Sequence, residues 1–416
     1  MKVGEWWKGV NAPAPGEQPW SWPRRFGFRW LLLFWGLGYG LPPPLNQVIP
    51  SGSELWTALA SRLGAVLHLD VPQHGPSGSG DTLLDWLTKL TLGLVALVGA
   101  SLWSAVQRGP VRHGKLLDFL QLYVRLTLFQ SLATYGVIKL FDRQFPAPTA
   151  ERLLSTFGEA SPMGLMWTFL GASRPYEQFG GAMECLAAVL LVFRRTRLLG
   201  ALVACGVMGN VFMLNLCYDV PVKLFSGELL AMSAFLVALD SRRLLELLLL
   251  NRQVAVADEG FVFFATGRWR LVRAIAVLVA VAAQVVNLWP FISAKAEPPD
   301  PASVEGAYDV VSLEGVEGLT RLGMTTWSAR VWATNADPLR LKLEEDPRKH
   351  HVTLAPRDAE PGLAADLTWT QEGDRVTFTG TWKDAPVTIV TTRRDLSKSL
   401  LLTRGFHWVN EFPFNR

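Results

Sequence analysis

Leu83-Leu-Asp-Trp-Leu-Thr-Lys-Leu-Thr-Leu-Gly-Leu-Val-Ala-Leu-Val-Gly-Ala-Ser-Leu-Trp-Ser-Ala-Val106 is the stretch that decides the class of fold. Its 24 residues are enough, at about 1.5 Å per residue, to cross the roughly 30 Å hydrocarbon core of a bilayer as one helix. Its charges, Asp85 and Lys89, lie near one end. Further apolar runs predict spans at 26–41, 116–141, 179–193, 198–218, 222–239 and 271–292. The expectation is an α-helical polytopic membrane bundle of about seven helices. The lipid bilayer is then its first partner. Over the whole chain of 416 residues only 18% are charged, against about 25% in soluble proteins.

Two segments do not fit a simple crossing. Glu54 to Leu67 carries Leu55, Leu59, Leu63 and Leu67 at helical spacing and reads as an amphipathic surface helix. Residues 162–171, with Pro162 and Gly171 at the ends, are too short to span and read as a re-entrant or interfacial element. Lys and Arg number 17 in the segments 1–29, 107–115, 194–197 and 240–273, and 5 in the alternate segments 42–82, 142–176 and 219–223. The positive-inside rule places residues 1–25 in the cytoplasm, the helices over 26–295, and the C-terminus outside, in the periplasm for a bacterial inner membrane.

Beyond Pro298-Pro-Asp-Pro301 the hydrophobic period changes to two. Leu367/Trp369, Val376/Phe378 and Val387/Ile389 alternate with polar residues, and Glu372-Gly-Asp374 reads as a hairpin turn. Residues 301–416 are expected to form an all-β extracytoplasmic domain of seven or eight antiparallel strands, a sandwich or a barrel. The aromatic tail 404–416 is either a last strand or a segment that docks on the outer mouth of the bundle.

Ionisable residues within bilayer spans mark functional positions by default. Glu184, Lys139, Asp219 and Lys223 are the candidate proton-handling groups. Arg125, Tyr135, Asp81, Asp85, Lys89, Asn210, Asn215, Glu228 and Trp167 are the candidate ligand-binding ones. Apart from Arg125, near the centre of its span, nearly all of the charged and amide residues among them fall in the outer half of the membrane. That convergence predicts an outward-facing polar pocket; a purely structural role for the set is the alternative. Asp81, Asp85 and Lys89 are expected on one helix face.

No metal site is predicted: the six His are scattered, and His350-His351 are adjacent on a predicted strand, so they point to opposite faces. Cys185, Cys205 and Cys217 lie in apolar runs, where buried, inert thiols are expected. The net charge of +4 is spread in short clusters, which does not suggest a nucleic-acid partner.

Gly78-Ser-Gly-Asp-Thr82, Tyr135-Gly-Val-Ile-Lys-Leu-Phe141, Gln144-Phe-Pro146, Ser161-Pro-Met-Gly-Leu-Met-Trp167, Arg194-Arg-Thr196 and Asn215-Leu-Cys-Tyr-Asp-Val-Pro-Val-Lys-Leu-Phe-Ser226 together resemble the bacterial DoxX-like integral membrane proteins, here in a long form with a C-terminal β domain. The likeness runs from about Phe26 to Leu250. It implies kinship with the membrane subunit of thiosulfate:quinone oxidoreductase and, distantly, with the transmembrane domain of vitamin K-dependent carboxylases. Both comparisons imply a bundle able to hold a quinone-like ligand. Three functions follow as expectations: a ligand-binding redox protein, such as a membrane oxidoreductase subunit; a non-enzymatic scaffold whose β domain binds a periplasmic or membrane protein; and, last, a small-solute transporter.

Overall fold

The computed structural model describes residues 19–39, 53–72, 78–109, 111–254, 267–294, 303–356, 364–405 and 407–412. The chain divides into two units, Met1–Gln144 with Glu177–Ala294, and Phe145–Tyr176 with Lys295–Arg416.

The first unit is helical. Its elements are α1 (Trp22–Tyr39), α2 (Ser53–Val66), α3 (Leu83–Val106) and α4 (Gly114–Leu140). After the excursion into the second unit come α7 (Arg174–Val192), α8 (Arg197–Cys217), α9 (Lys223–Ala238), the short α10 (Ser241–Leu244) and α11 (Gly267–Ser293). Helix α4 is the centre. Consecutive residues from Leu120 to Phe129 are buried, so neighbours cover it on every side, whereas an ordinary amphipathic helix buries one stripe. Leu120, Val124, Leu128 and Leu132 meet Trp35 of α1, Ala187 and Leu191 of α7, Ala204 and Met208 of α8, and Leu229 and Met232 of α9. The outer helices show the opposite pattern. α3 exposes Leu90, Leu94, Val98 and Leu102, and α11 exposes Leu271, Leu278 and Val286.

Among the described residues three helices, α3, α8 and α11, are long and apolar enough to cross a membrane. There are four if α9 and the following turn Ser241–Leu249, bent by 71° at the break, are one span. About seven were expected. The shortfall has a physical cause. α1 carries Arg24, Arg25 and Arg29, α4 carries Gln121, Arg125 and Gln130, and α7 carries Glu177 and Glu184, which lowers their apolarity. Arg29, Gln121, Arg125, Glu177 and Glu184 are nevertheless buried inside the unit. In α2 Leu55 is exposed, as is Leu67 just beyond its end, while Ala60 is buried and Gly64 packs on Val71 and Leu87. Cys217 is exposed and Cys185 and Cys205 are half-buried, so the expectation of three buried thiols does not hold.

The second unit is built on eight antiparallel strands: β1 (Gly306–Glu314), β2 (Leu319–Met324), β3 (Ser328–Ala333), β4 (Leu339–Asp346), β5 (His351–Pro356), β6 (Ala365–Glu372), β7 (Arg375–Trp382) and β8 (Ala385–Arg394). They form a closed barrel in sequence order, with β8 pairing back onto β1. The alternating residues point inward: Tyr308, Leu322, Leu341, Leu354, Leu367, Trp369, Val376, Phe378 and Ile389 are buried together. Closure removes the open sheet edges that would otherwise recruit other chains. The β6–β7 turn is the expected one, with Gly373 at φ +62°.

Two expectations about this region are revised. Residues 162–171 form a helix, α6 (Pro162–Gly171), and belong to the barrel's unit, not to the helical one. The preceding helix, α5 (Ala150–Leu154), lies against the barrel: Ser328 Oγ donates to Glu151 Oε1 at 2.6 Å and Arg330 Nη1 to Ser155 Oγ at 2.6 Å. The described part of the tail forms no strand. After a short helix, α12 (Leu400–Thr403), Trp408, Val409 and Phe412 are exposed, and the barrel closes without them.

Candidate functional site

Most of the residues singled out from the sequence gather at one end of the helical unit, where α3 and α9 begin and α4 and α8 finish. At its centre, Lys139 of α4 donates to Glu184 Oε1 of α7. Helix–helix proximity makes this possible. A Cβ on Gly136 would stand 2.8 Å from the Gly181 carbonyl oxygen, and one on Gly181 would stand 2.6 Å from the Gly136 oxygen. Two glycines thus let the backbones touch, as small residues do between membrane helices. Lys139 and Glu184 each lie three residues after one of them, on the same helix face as that glycine. The Glu184 side chain is 3% exposed, and its second oxygen, Oε2, is buried with no hydrogen-bond partner among the described residues. A carboxylate with one oxygen committed to a lysine and the other open can accept a hydrogen bond or a proton from a ligand.

Around this pair the remaining charges satisfy one another. Lys89 Nζ lies 2.8 Å from Glu228 Oε1, and the Tyr39 hydroxyl donates to Glu228 Oε2 at 2.5 Å. Asp81 accepts the backbone N–H groups of Lys223 (2.7 Å) and Leu224 (2.9 Å), which caps the first turn of α9 from another element. Lys223 Nζ pairs with Asp219 at 2.8 Å. Asp85 closes a capping box with Thr82 at the start of α3. Asp81, Asp85 and Lys89 therefore have three separate jobs and do not act as one face. Asn215 donates to Ser226 Oγ at 2.9 Å, the Tyr135 ring meets Phe225, and Asn210 is exposed.

Two expected members lie elsewhere. Trp167 belongs to the barrel's unit, with its ring edge-on to Phe145 at 5.2 Å. Arg125 donates to the carbonyls of Leu191 (2.7 Å) and Val192 (2.6 Å). These are carbonyls that α7 leaves without an intrahelical partner at its C-terminus, so Arg125 caps that helix end.

Two polar clusters have no counterpart in the sequence reading. Arg29 donates to His113 Nε2 (3.1 Å), Ser104 Oγ (2.8 Å) and Gln107 Oε1 (3.0 Å). Burial, with Arg29 and Arg25 adding, pushes the His113 imidazole down to about 4. It is therefore neutral at physiological pH and can accept from Arg29. In the second unit, Trp332 Nε1 donates to Glu159 Oε2 at 2.9 Å. Burial pushes the Glu159 carboxyl up, but this bond, those from Thr156 and the nearby Arg330 hold it below the usual range. Only the pairing in space reveals either cluster, because the partners are about 80 to 170 residues apart in sequence. Among the described residues no group of three His, Cys, Asp or Glu could hold a metal ion.

Fold and site together define a helical protein with membrane-spanning candidates, carrying a closed eight-stranded barrel. The chain is 36% identical over 119 residues to the uncharacterized protein YwoB of Bacillus subtilis (strain 168), a match covering 29% of this chain and 75% of YwoB. It belongs to the same family as that protein. No protein-family model matches the chain, and no solved structure matches it.

Proposed function

We propose that this is a DoxX-like protein of the bacterial inner membrane that binds a quinone-like or other lipid-soluble ligand beside Lys139 and Glu184 and supports redox chemistry there. The topology in this reading is seven crossings, with the N-terminus cytoplasmic and the barrel periplasmic. The other four helices, α1, α4, α7 and α9, would cross inside the bundle, with charges paired inward. The observation that carries the reading is the second oxygen of Glu184, buried with no partner beside an ion pair. Lys139, Glu184, Asp219 and Lys223 would handle protons, and Tyr135, on the neighbouring face, could hydrogen-bond a carbonyl. Identification by mass spectrometry of small molecules that co-purify in mild detergent tests this; a lipid-soluble ligand bound to the wild type is the expected result.

The exposed Trp408, Val409 and Phe412 favour a second reading, in which the barrel's unit recruits a periplasmic or membrane protein. Exposed aromatic anchors are the groups that dominate such interfaces. Removal of residues 404–416 would then abolish capture of the partner from membrane extracts and leave the barrel folded. Undiminished capture would count against this reading.

A further inference from the structure

Among the described residues, the opposite end of the helical unit carries several arginines with few buried carboxylates beside them. Arg125 is buried, and both of its described contacts are backbone carbonyls. Its charged neighbours are Arg197, Arg273 and Arg194. Arg197 donates to Gln121 and, at 2.9 Å, to Asp240 Oδ2; Arg243 takes the other oxygen of Asp240 at 2.9 Å. Four guanidinium groups thus converge from α4, the α7–α8 turn, α8 and α11, and Arg243 of α10 is linked to them through the shared Asp240 carboxylate. Among the described residues, the buried carboxylates at this end are Asp240 and, one turn below Gln121 on α4, Asp118. Two guanidinium nitrogens, Arg243 Nε and Arg273 Nη1, are buried with no acceptor among the described residues.

Buried donors of this kind cost free energy unless an acceptor reaches them. The planar guanidinium fork matches the oxygens of a phosphate, and several forks around one anion give charge-assisted bonds. The N-terminus of α8 faces the same region, with no side-chain cap on its first turn, and adds the positive pole of a helix. We propose that this cluster is an anion site for a phosphate group, contributed by a phospholipid headgroup or by a free phosphate, with Arg273 and Arg243 as its direct ligands.

The test uses the full-length protein, delipidated in mild detergent, and reads its unfolding temperature as each probe is added. The probes are inorganic phosphate and mixed micelles containing phosphatidylglycerol. Either probe is expected to raise the midpoint of the wild type and of Arg62→Gln, a charge-matched control on exposed α2, and to lose most of that effect in Arg273→Gln. An effect of phosphatidylglycerol alone identifies the headgroup; an effect of inorganic phosphate alone identifies the free ion. Without either probe, Arg273→Gln should unfold no earlier than the wild type, because it removes like-charge crowding and no described bond. Arg243→Gln provides a second variant should Arg273→Gln fail to fold. No shift in the wild type with either probe, or equal shifts in wild type and Arg273→Gln, would overturn the proposal.

Discussion

Lys139→Met is expected to destabilise the helical unit by about 3–5 kcal/mol, the usual loss when one partner of a buried ion pair is removed. The reason is what remains. Glu184 would keep a buried carboxyl whose Oε2 already lacks a partner and whose Oε1 would lose its lysine. Glu184→Gln should cost less, since it leaves an amide oxygen for Lys139 to donate to. The double variant Lys139→Met/Glu184→Gln should recover part of the loss, because no buried charge remains to be solvated. A double-mutant cycle on unfolding in detergent measures this directly. Additive effects, or a Lys139→Met protein as stable as wild type, would mean the pair does not form.

A side chain at Gly181 should also be damaging, by a different route. Even the Cβ of Gly181→Ala would stand 2.6 Å from the Gly136 oxygen and 3.0 Å from the Leu140 nitrogen. Both are backbone atoms of α4, which cannot turn aside, so the two helices must part; overpacking of this kind costs about 1–3 kcal/mol or more. Gly136→Ala meets the Gly181 oxygen at 2.8 Å in the same way. Gly180 is the control, with nothing within 4 Å of an added Cβ; there alanine should be neutral or stabilising, as alanine is a better helix former by about 1 kcal/mol. Equal unfolding temperatures for Gly180→Ala and Gly181→Ala would contradict the close approach of α4 and α7.

The barrel was the part most legible in the sequence. Its strands bury one face, so Leu367/Trp369 and Val376/Phe378 alternate visibly, and the choice between sandwich and barrel was settled only by the pairing of β8 with β1. The helices were legible as elements, but the number of spans was not. Arg125 and Glu184 look alike in sequence, as single charges in apolar runs, yet one caps a helix end and the other is half of a buried pair. The capping box Thr82-x-x-Asp85 was readable from local spacing, but the i, i+4 relation of Asp81, Asp85 and Lys89 suggested a shared face instead. No local signal places residues 145–176 with a barrel that begins at Gly306. Their contacts, such as Glu151 with Ser328 and Glu159 with Trp332, span more than 170 residues of chain.

The most direct test of the central claim is the identity of what the purified protein carries. Wild type, Glu184→Gln and Lys139→Met, prepared side by side in mild detergent, would be extracted and their bound small molecules identified by mass spectrometry. A quinone or other lipid-soluble ligand is expected in the wild type, strongly depleted in both variants. The same ligand at equal occupancy in all three, or none in a folded wild type, would contradict it and leave the barrel and its aromatic tail as the place to look for function.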